Sequence, residues 1–136
     1  CVRVCVCVRA QGCMHDLRTG FSVAVQSVLR LREGGLLFGG PPCSSFVWMS
    51  RSQTRRTAEC ARGDVTSPAV REGNCTALRS LMLAILCLVR GVHYAFEQPG
   101  SSVMYRMEAH EFVWKTAYKL GFGQTHLRRL FLGFRS

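Results

Sequence analysis

Two short apolar runs are each closed by a proline-bearing turn, and the stretch between them is long enough to cross back over a sheet. Leu36-Leu37-Phe38 runs into Gly39-Gly40-Pro41-Pro42-Cys43-Ser44-Ser45, and Val92-His93-Tyr94-Ala95-Phe96 runs into Glu97-Gln98-Pro99. Short apolar runs without alternation read as strands buried in a parallel sheet, provided helices connect them. The intervening pattern supplies such helices. One starts at Thr19 or Ser22 and runs to about Arg32 on the apolar face of Val23, Val25, Val28, Leu29 and Leu31, ending at Glu33-Gly34-Gly35. A second opens at Ser67 or Pro68 and runs to about Arg90, stopped by Gly91, and a third spans Met107 to Leu120 before Gly121-Phe122-Gly123. Cys1 to Val8, rich in Val and Cys, reads as a further strand, and Leu130 to Phe134 as a last one. Helices alternating with strands predict an α/β fold with a mainly parallel sheet.

In open α/β sheets, functional groups gather just beyond the carboxyl ends of the strands. Here those ends carry a thiol, Cys43, and a carboxyl, Glu97. This pair suits covalent catalysis on a pyrimidine ring: the thiolate adds to the ring and the carboxyl manages its charge. Pro41 and Pro42 stiffen the first turn, and Gly39 and Gly40 allow a ligand close to the backbone. Free amides in the Ser44-Ser45 segment would favour the Cys43 thiolate, and partial desolvation would favour the protonated Glu97. The competing readings are a structural cysteine in a tight turn and a solvated carboxylate paired with one of the arginines. From Phe46 to Thr66 the chain has no clean period and carries Arg51, Arg55, Arg56 and Arg62, which suggests an exposed loop contributing little to the core. Trp48 and Arg51 are placed to stack on a base, and Trp48 reads equally as a lid over the core.

The motifs Gly-Pro-Pro-Cys-Ser-Ser and Glu-Gln-Pro-Gly-Ser-Ser resemble the catalytic pair of the cytosine-5 DNA methyltransferases and of methyltransferase-like proteins in algae, protists and phages. The resemblance covers roughly His15 to Ser102. It implies the carboxyl-side part of a Rossmann-like three-layer sandwich, incomplete at its amino end, in a single domain over residues 1–136. It further implies Cys43 as nucleophile and Glu97 as the acid at the ring nitrogen of cytosine. Pro42, Ser44, Ser45, Trp48, Arg51, Gln98 and Pro99 would line the substrate. S-adenosylmethionine, implied by the resemblance alone, would lie near Asp16, Gly40 and Pro41. Three departures argue against a complete enzyme: no Gly-x-Gly-x-Gly precedes Cys43, no target-recognition domain follows, and the family's arginine-rich motif has only an echo in Gln124-Thr125-His126-Leu127-Arg128-Arg129. A catalytically silent relative that binds nucleic acid, and a fragment without independent activity, are therefore the alternatives.

The formal net charge of +10 arises from 18 Lys+Arg against 8 Asp+Glu, and only Lys115 and Lys119 of these cations are lysines. Arginine favours phosphate through bidentate hydrogen bonds, so nucleic acid is the expected partner, although arginine-favouring codon usage gives the same composition. The eight cysteines form no disulfide-framework spacing, and Cys43, Cys60, Cys75 and Cys87 fall in or beside expected core elements, which points to a reducing intracellular setting. That setting argues against use of the Asn74-Cys75-Thr76 glycosylation acceptor. Cys5, Cys7, Cys13 and His15 match no compact zinc spacing, so no metal is expected. Leu81 to Val89, flanked by Arg79 and Arg90, is too short to span a bilayer and reads as part of a buried helix, with no membrane partner. The sequence sets no oligomeric state.

Overall fold

The computed structural model describes residues 5–8 as a strand and residues 20–122 in full. Three parallel strands form one sheet in the order β1-β2-β3: β1 (Cys5–Val8), β2 (Leu36–Gly39) and β3 (His93–Phe96). Val8 pairs with Gly39, and Gly39 with Phe96, so β2 and β3 end level with each other. The helices are α1 (Gly20–Arg30), the single turn α2 (Arg51–Thr54), α3 (Pro68–Val89) and α4 (Glu108–Lys119), with 3-10 turns at Trp48–Ser50 and Met104–Arg106. The expected strand over Leu130 to Phe134 lies outside the described residues.

Each helix end follows from local chemistry. Pro68 occupies the first turn of α3, where its missing N–H breaks no helical bond. Gly91, at φ +65°, lets the chain leave α3, and the Val92 N–H then bonds the Cys87 carbonyl at 2.8 Å. Residues Val70, Ala77, Ala84 and Cys87 of α3 fall on one stripe and are all buried.

At about 1.5 Å per residue, α3 is about 33 Å long and serves two cores. Its carboxyl half packs Leu83 and Cys87 against Ala24 and Val28 of α1, Leu37 of β2, Leu31 and Val92. Its amino half reaches past the carboxyl ends of the strands, where Ala77 meets Phe46, Ala61, Val103, Met104 and Met107. α3 is therefore not buried all round, as the nine-residue apolar run suggested. By length and composition it could cross a membrane, yet its inner face is committed to both cores while Leu78, Met82, Ile85 and Val89 are exposed.

Leu37, Tyr94 and Phe96 point toward α1 and α3, so by the two-residue alternation Phe38 and His93 point away, and both are exposed. The described residues thus form an α/β fold whose sheet is covered by α1 and α3 on one face. The second helical layer of a three-layer sandwich is not among them.

The segment from Phe46 to Thr66 is a correction to the expected loose loop. It contains the 3-10 turn and α2, and it sends Phe46, Thr54, Arg56 and Ala61 into the interior.

Candidate active site at the strand ends

Because β2 and β3 end level, the two motifs begin side by side. The Glu97 N–H donates to the Gly39 carbonyl at 2.9 Å, extending the ladder by one bond. Gly39 packs closely there, since a Cβ would stand 3.3 Å from the Phe96 ring and push it aside by a few tenths of an ångström. Beyond this point a side chain takes over from the ladder. Gln98 Nε2 donates to the Pro41 carbonyl at 2.6 Å, and the buried Ser102 hydroxyl donates to Gln98 Oε1 at 2.9 Å. The Glu-Gln-Pro turn and the Pro-Pro-Cys turn are thereby joined by one amide. Gln98, expected to contact substrate, spends both ends of its amide on this joint.

Cys43 opens a turn in which the Phe46 N–H bonds the Cys43 carbonyl at 2.8 Å. Cys43 and Pro42 are half-buried, while Gly40, Ser44, Glu97 and Pro99 are exposed. Cys43 and Glu97 accordingly lie just past the carboxyl ends of adjacent parallel strands, about 4.8 Å apart where they pair. The exposure of Glu97 overturns the expectation that its carboxyl is partly desolvated, since a four-residue strand at this edge has nothing described to cover it. Ser45 also departs from its expected role: it is buried, and its hydroxyl accepts a hydrogen bond from Arg56 instead of facing a substrate.

Trp48 and Met49 follow the turn and are 66% and 90% exposed. The Arg51 guanidinium lies 4.6 Å over the Trp48 ring, and the tryptophan nonetheless remains mostly exposed. Trp48 is therefore no lid over the core. The nearby Glu59 carboxyl is held below its usual range, first by its own backbone N–H and the Thr57 hydroxyl and then by the field of Arg106 and Arg51. Arg55 and Arg62 are also exposed.

Arg56 breaks the pattern of its neighbours. Its side chain is 0% exposed, and its guanidinium lies 3.8 Å over the Phe46 ring. Nη1 donates to the Ala61 carbonyl, to the Arg62 carbonyl at 3.2 Å and to Asn74 Oδ1 at 2.8 Å. Nη2 donates to Ser45 Oγ at 3.3 Å and to the Val70 carbonyl at 3.2 Å. Burial lowers its pKa to about 10, which leaves it charged at neutral pH. The Asn74 amide also donates to the Arg62 carbonyl at 3.0 Å, so this glycosylation-like asparagine is occupied inside α3.

Sequence alone puts Arg56 on an exposed loop and Asn74 in an unused glycosylation acceptor, and it assigns Ser102 no role, whereas all three hold the site together. The one signal for the first two is Gly73, a glycine inside an otherwise helical window, which marks close approach. A Cβ at Gly73 would stand 2.1 Å from Ser45 Oγ and 3.1 Å from Arg56 Nη2.

Of the cofactor-side candidates, Asp16 lies outside the described residues, as do Cys13, His15 and the Gln124 to Arg129 echo. Gly40 keeps open space where a side chain would stand, and Pro41 is buried with its carbonyl already bonded. These two positions alone do not make a cradle for an adenosyl or methionine group. Among the described residues no cluster of His, Cys, Asp or Glu is placed to hold a metal. Cys60 is exposed and Cys75 half-buried, so of the four expected core cysteines Cys87 alone is fully buried, and burial pushes its thiol up to about 11. No family model, no curated protein and no solved structure matches the chain.

Proposed function

We propose that this chain is a cytosine-5 DNA methyltransferase-like protein, in which Cys43 is the nucleophile and Glu97 the acid on a pyrimidine ring. The observation that supports this most is the joining of the two motifs: Gly39 pairs with Phe96, and Gln98 bonds the Pro41 carbonyl. A thiol and a carboxyl held past adjacent strand ends can address one small ring from neighbouring positions. The three parallel strands then read as the carboxyl-side part of a Rossmann-like methyltransferase domain.

In the proposed step the Cys43 thiolate forms an Sγ–C6 bond. The C5=C6 electron pair shifts to make C4=C5, the C4=N3 pair moves onto N3, and N3 takes the proton of the Glu97 carboxyl, leaving a carboxylate. The exposed Trp48 ring and the guanidinium of Arg51 would hold nucleic acid beside the turn. S-adenosylmethionine is implied by the motif resemblance, and no step here is routed through it. The exposed Arg55 and Arg62, with the Trp48–Arg51 pair, support the second reading, a catalytically silent protein that binds nucleic acid.

An oligonucleotide carrying a 2-pyrimidinone base, which is electrophilic at C6, separates the two. The enzyme reading expects an adduct stable to denaturation, mapped to Cys43 and absent from Cys43→Ser. Retardation of the oligonucleotide without any adduct would sink that reading and favour the second.

A further inference from the structure

Arg56 is a buried cation with no carboxylate partner among the described residues, an arrangement that adds little to stability by itself. Apolar residues of similar volume fill such positions without the cost of desolvating a charge. Its contacts suggest another use, because they join three segments distant in sequence. Ala61 and Arg62 belong to the connector, Val70 and Asn74 to α3, and Ser45 and Phe46 to the Cys43 turn. The Phe46 N–H continues the chain of contacts to the Cys43 carbonyl at 2.8 Å.

Two further features aim the guanidinium inward. Arg55 ends α2 at φ +53°, a left-handed conformation that costs a non-glycine residue about 1 kcal/mol and turns the next side chain away from solvent. Gly73 leaves the gap on α3 into which Ser45 and Arg56 fit. Backbone strain and a close-approach glycine converge on one side chain, a pattern found where geometry is imposed for function.

We infer that Arg56 is the positioning residue of the Cys43 turn, tying the turn that carries the thiol to α3 through Ser45 and Phe46. This rests on the reading of Cys43 as a nucleophile, but its test needs no catalysis. The chain is treated with iodoacetamide and the alkylation rate of each cysteine is read by peptide mass mapping, in the wild type and in Ser45→Ala and Arg56→Lys. Ser45→Ala cuts the bond between guanidinium and turn, and Arg56→Lys keeps the charge but not the forked donors. Loss of a charge-assisted hydrogen bond raises the opened fraction of the turn by about ten-fold. The Cys43 rate should therefore rise about ten-fold in both variants, while exposed Cys60 is unchanged and buried Cys87 stays unmodified. An unchanged Cys43 rate in both variants overturns the inference. So does a joint rise of Cys43 and Cys87, which would make Arg56 a support of the whole fold. A wild type that forms no pyrimidinone adduct, yet shows this selective rise, fails the nucleophile reading and leaves Arg56 as the anchor of the turn.

Discussion

Replacement of Gly73 by alanine sets two effects of opposite sign against each other. In a helix interior, Gly→Ala gains about 1 kcal/mol from backbone entropy and propensity. At Gly73 the new Cβ would stand 2.1 Å from Ser45 Oγ, 3.1 Å from Arg56 Nη2 and 3.3 Å from Phe46 Cε2. Ser45 can relieve the first contact by rotating, but it then loses its bond from a buried guanidinium, worth about 1.5–3 kcal/mol. Crowding of Arg56 and Phe46 adds about 1 kcal/mol or more, because neither has free space to enter. Packing wins, and the variant should be less stable by about 2 kcal/mol, a Tm loss of roughly 6 °C. Urea unfolding should show a lower midpoint with an unchanged slope. The same substitution in a Ser45→Ala background meets no hydroxyl and has no Ser45–Arg56 bond left to lose, so it should be neutral or stabilising. A Gly73→Ala protein more stable than wild type, or one equally destabilised in both backgrounds, would refute the packing account.

Two other outcomes follow from the same geometry. His110 is buried with Nδ1 unpartnered, and burial lowers its pKa below the usual 6.5. The unfolded chain therefore binds that proton more readily, so the stability present above pH 6.5 is lost as pH falls. Thermal unfolding should show this loss in the wild type and a flatter profile in His110→Gln. Replacing half-buried Arg51 and exposed Arg55 and Arg62 with glutamine while keeping Arg56 should flatten the dependence of log K for DNA on log salt by about 2 to 3 units. Gel retardation across a salt series reads this, and an unchanged slope would remove the arginine face from the nucleic-acid surface.

The strand and helix order was legible because each element is punctuated by residues with few alternatives. Pro68 starts α3, Gly91 and Gly121 release helices at positive φ, and the Gly39-Gly40-Pro41-Pro42 turn stops β2. The parallel pairing of β2 with β3 followed from their apolar runs and the long crossover between them. What sequence could not separate was Arg55 from Arg56. They are adjacent and chemically identical, and one left-handed backbone angle leaves the first in solvent and the second in the interior. The 46–66 segment read as loose for the same reason, since its buried groups Phe46, Thr54, Arg56 and Ala61 follow no period. The environment of Glu97 also depended on what covers the sheet edge, a tertiary property that five apolar residues before it do not encode.

Hydrogen exchange at C5 of deoxycytidine tests the proposed joint action of Cys43 and Glu97 most directly, because it needs only the chain, an oligonucleotide and heavy water. Addition of the Cys43 thiolate at C6, with N3 protonated by Glu97, leaves an enamine that takes a deuteron at C5. Loss of the original C5 proton, return of the N3 proton to Glu97 and departure of the thiolate then restore cytosine carrying deuterium. Mass spectrometry of the recovered nucleoside should show deuterium at C5 with the wild-type chain and none with Cys43→Ser. With Glu97→Gln the rate should fall by about 10²-fold or more, the usual contribution of a positioned acid. Exchange that persists at the wild-type rate in either variant, or its absence from the wild type, would contradict the account.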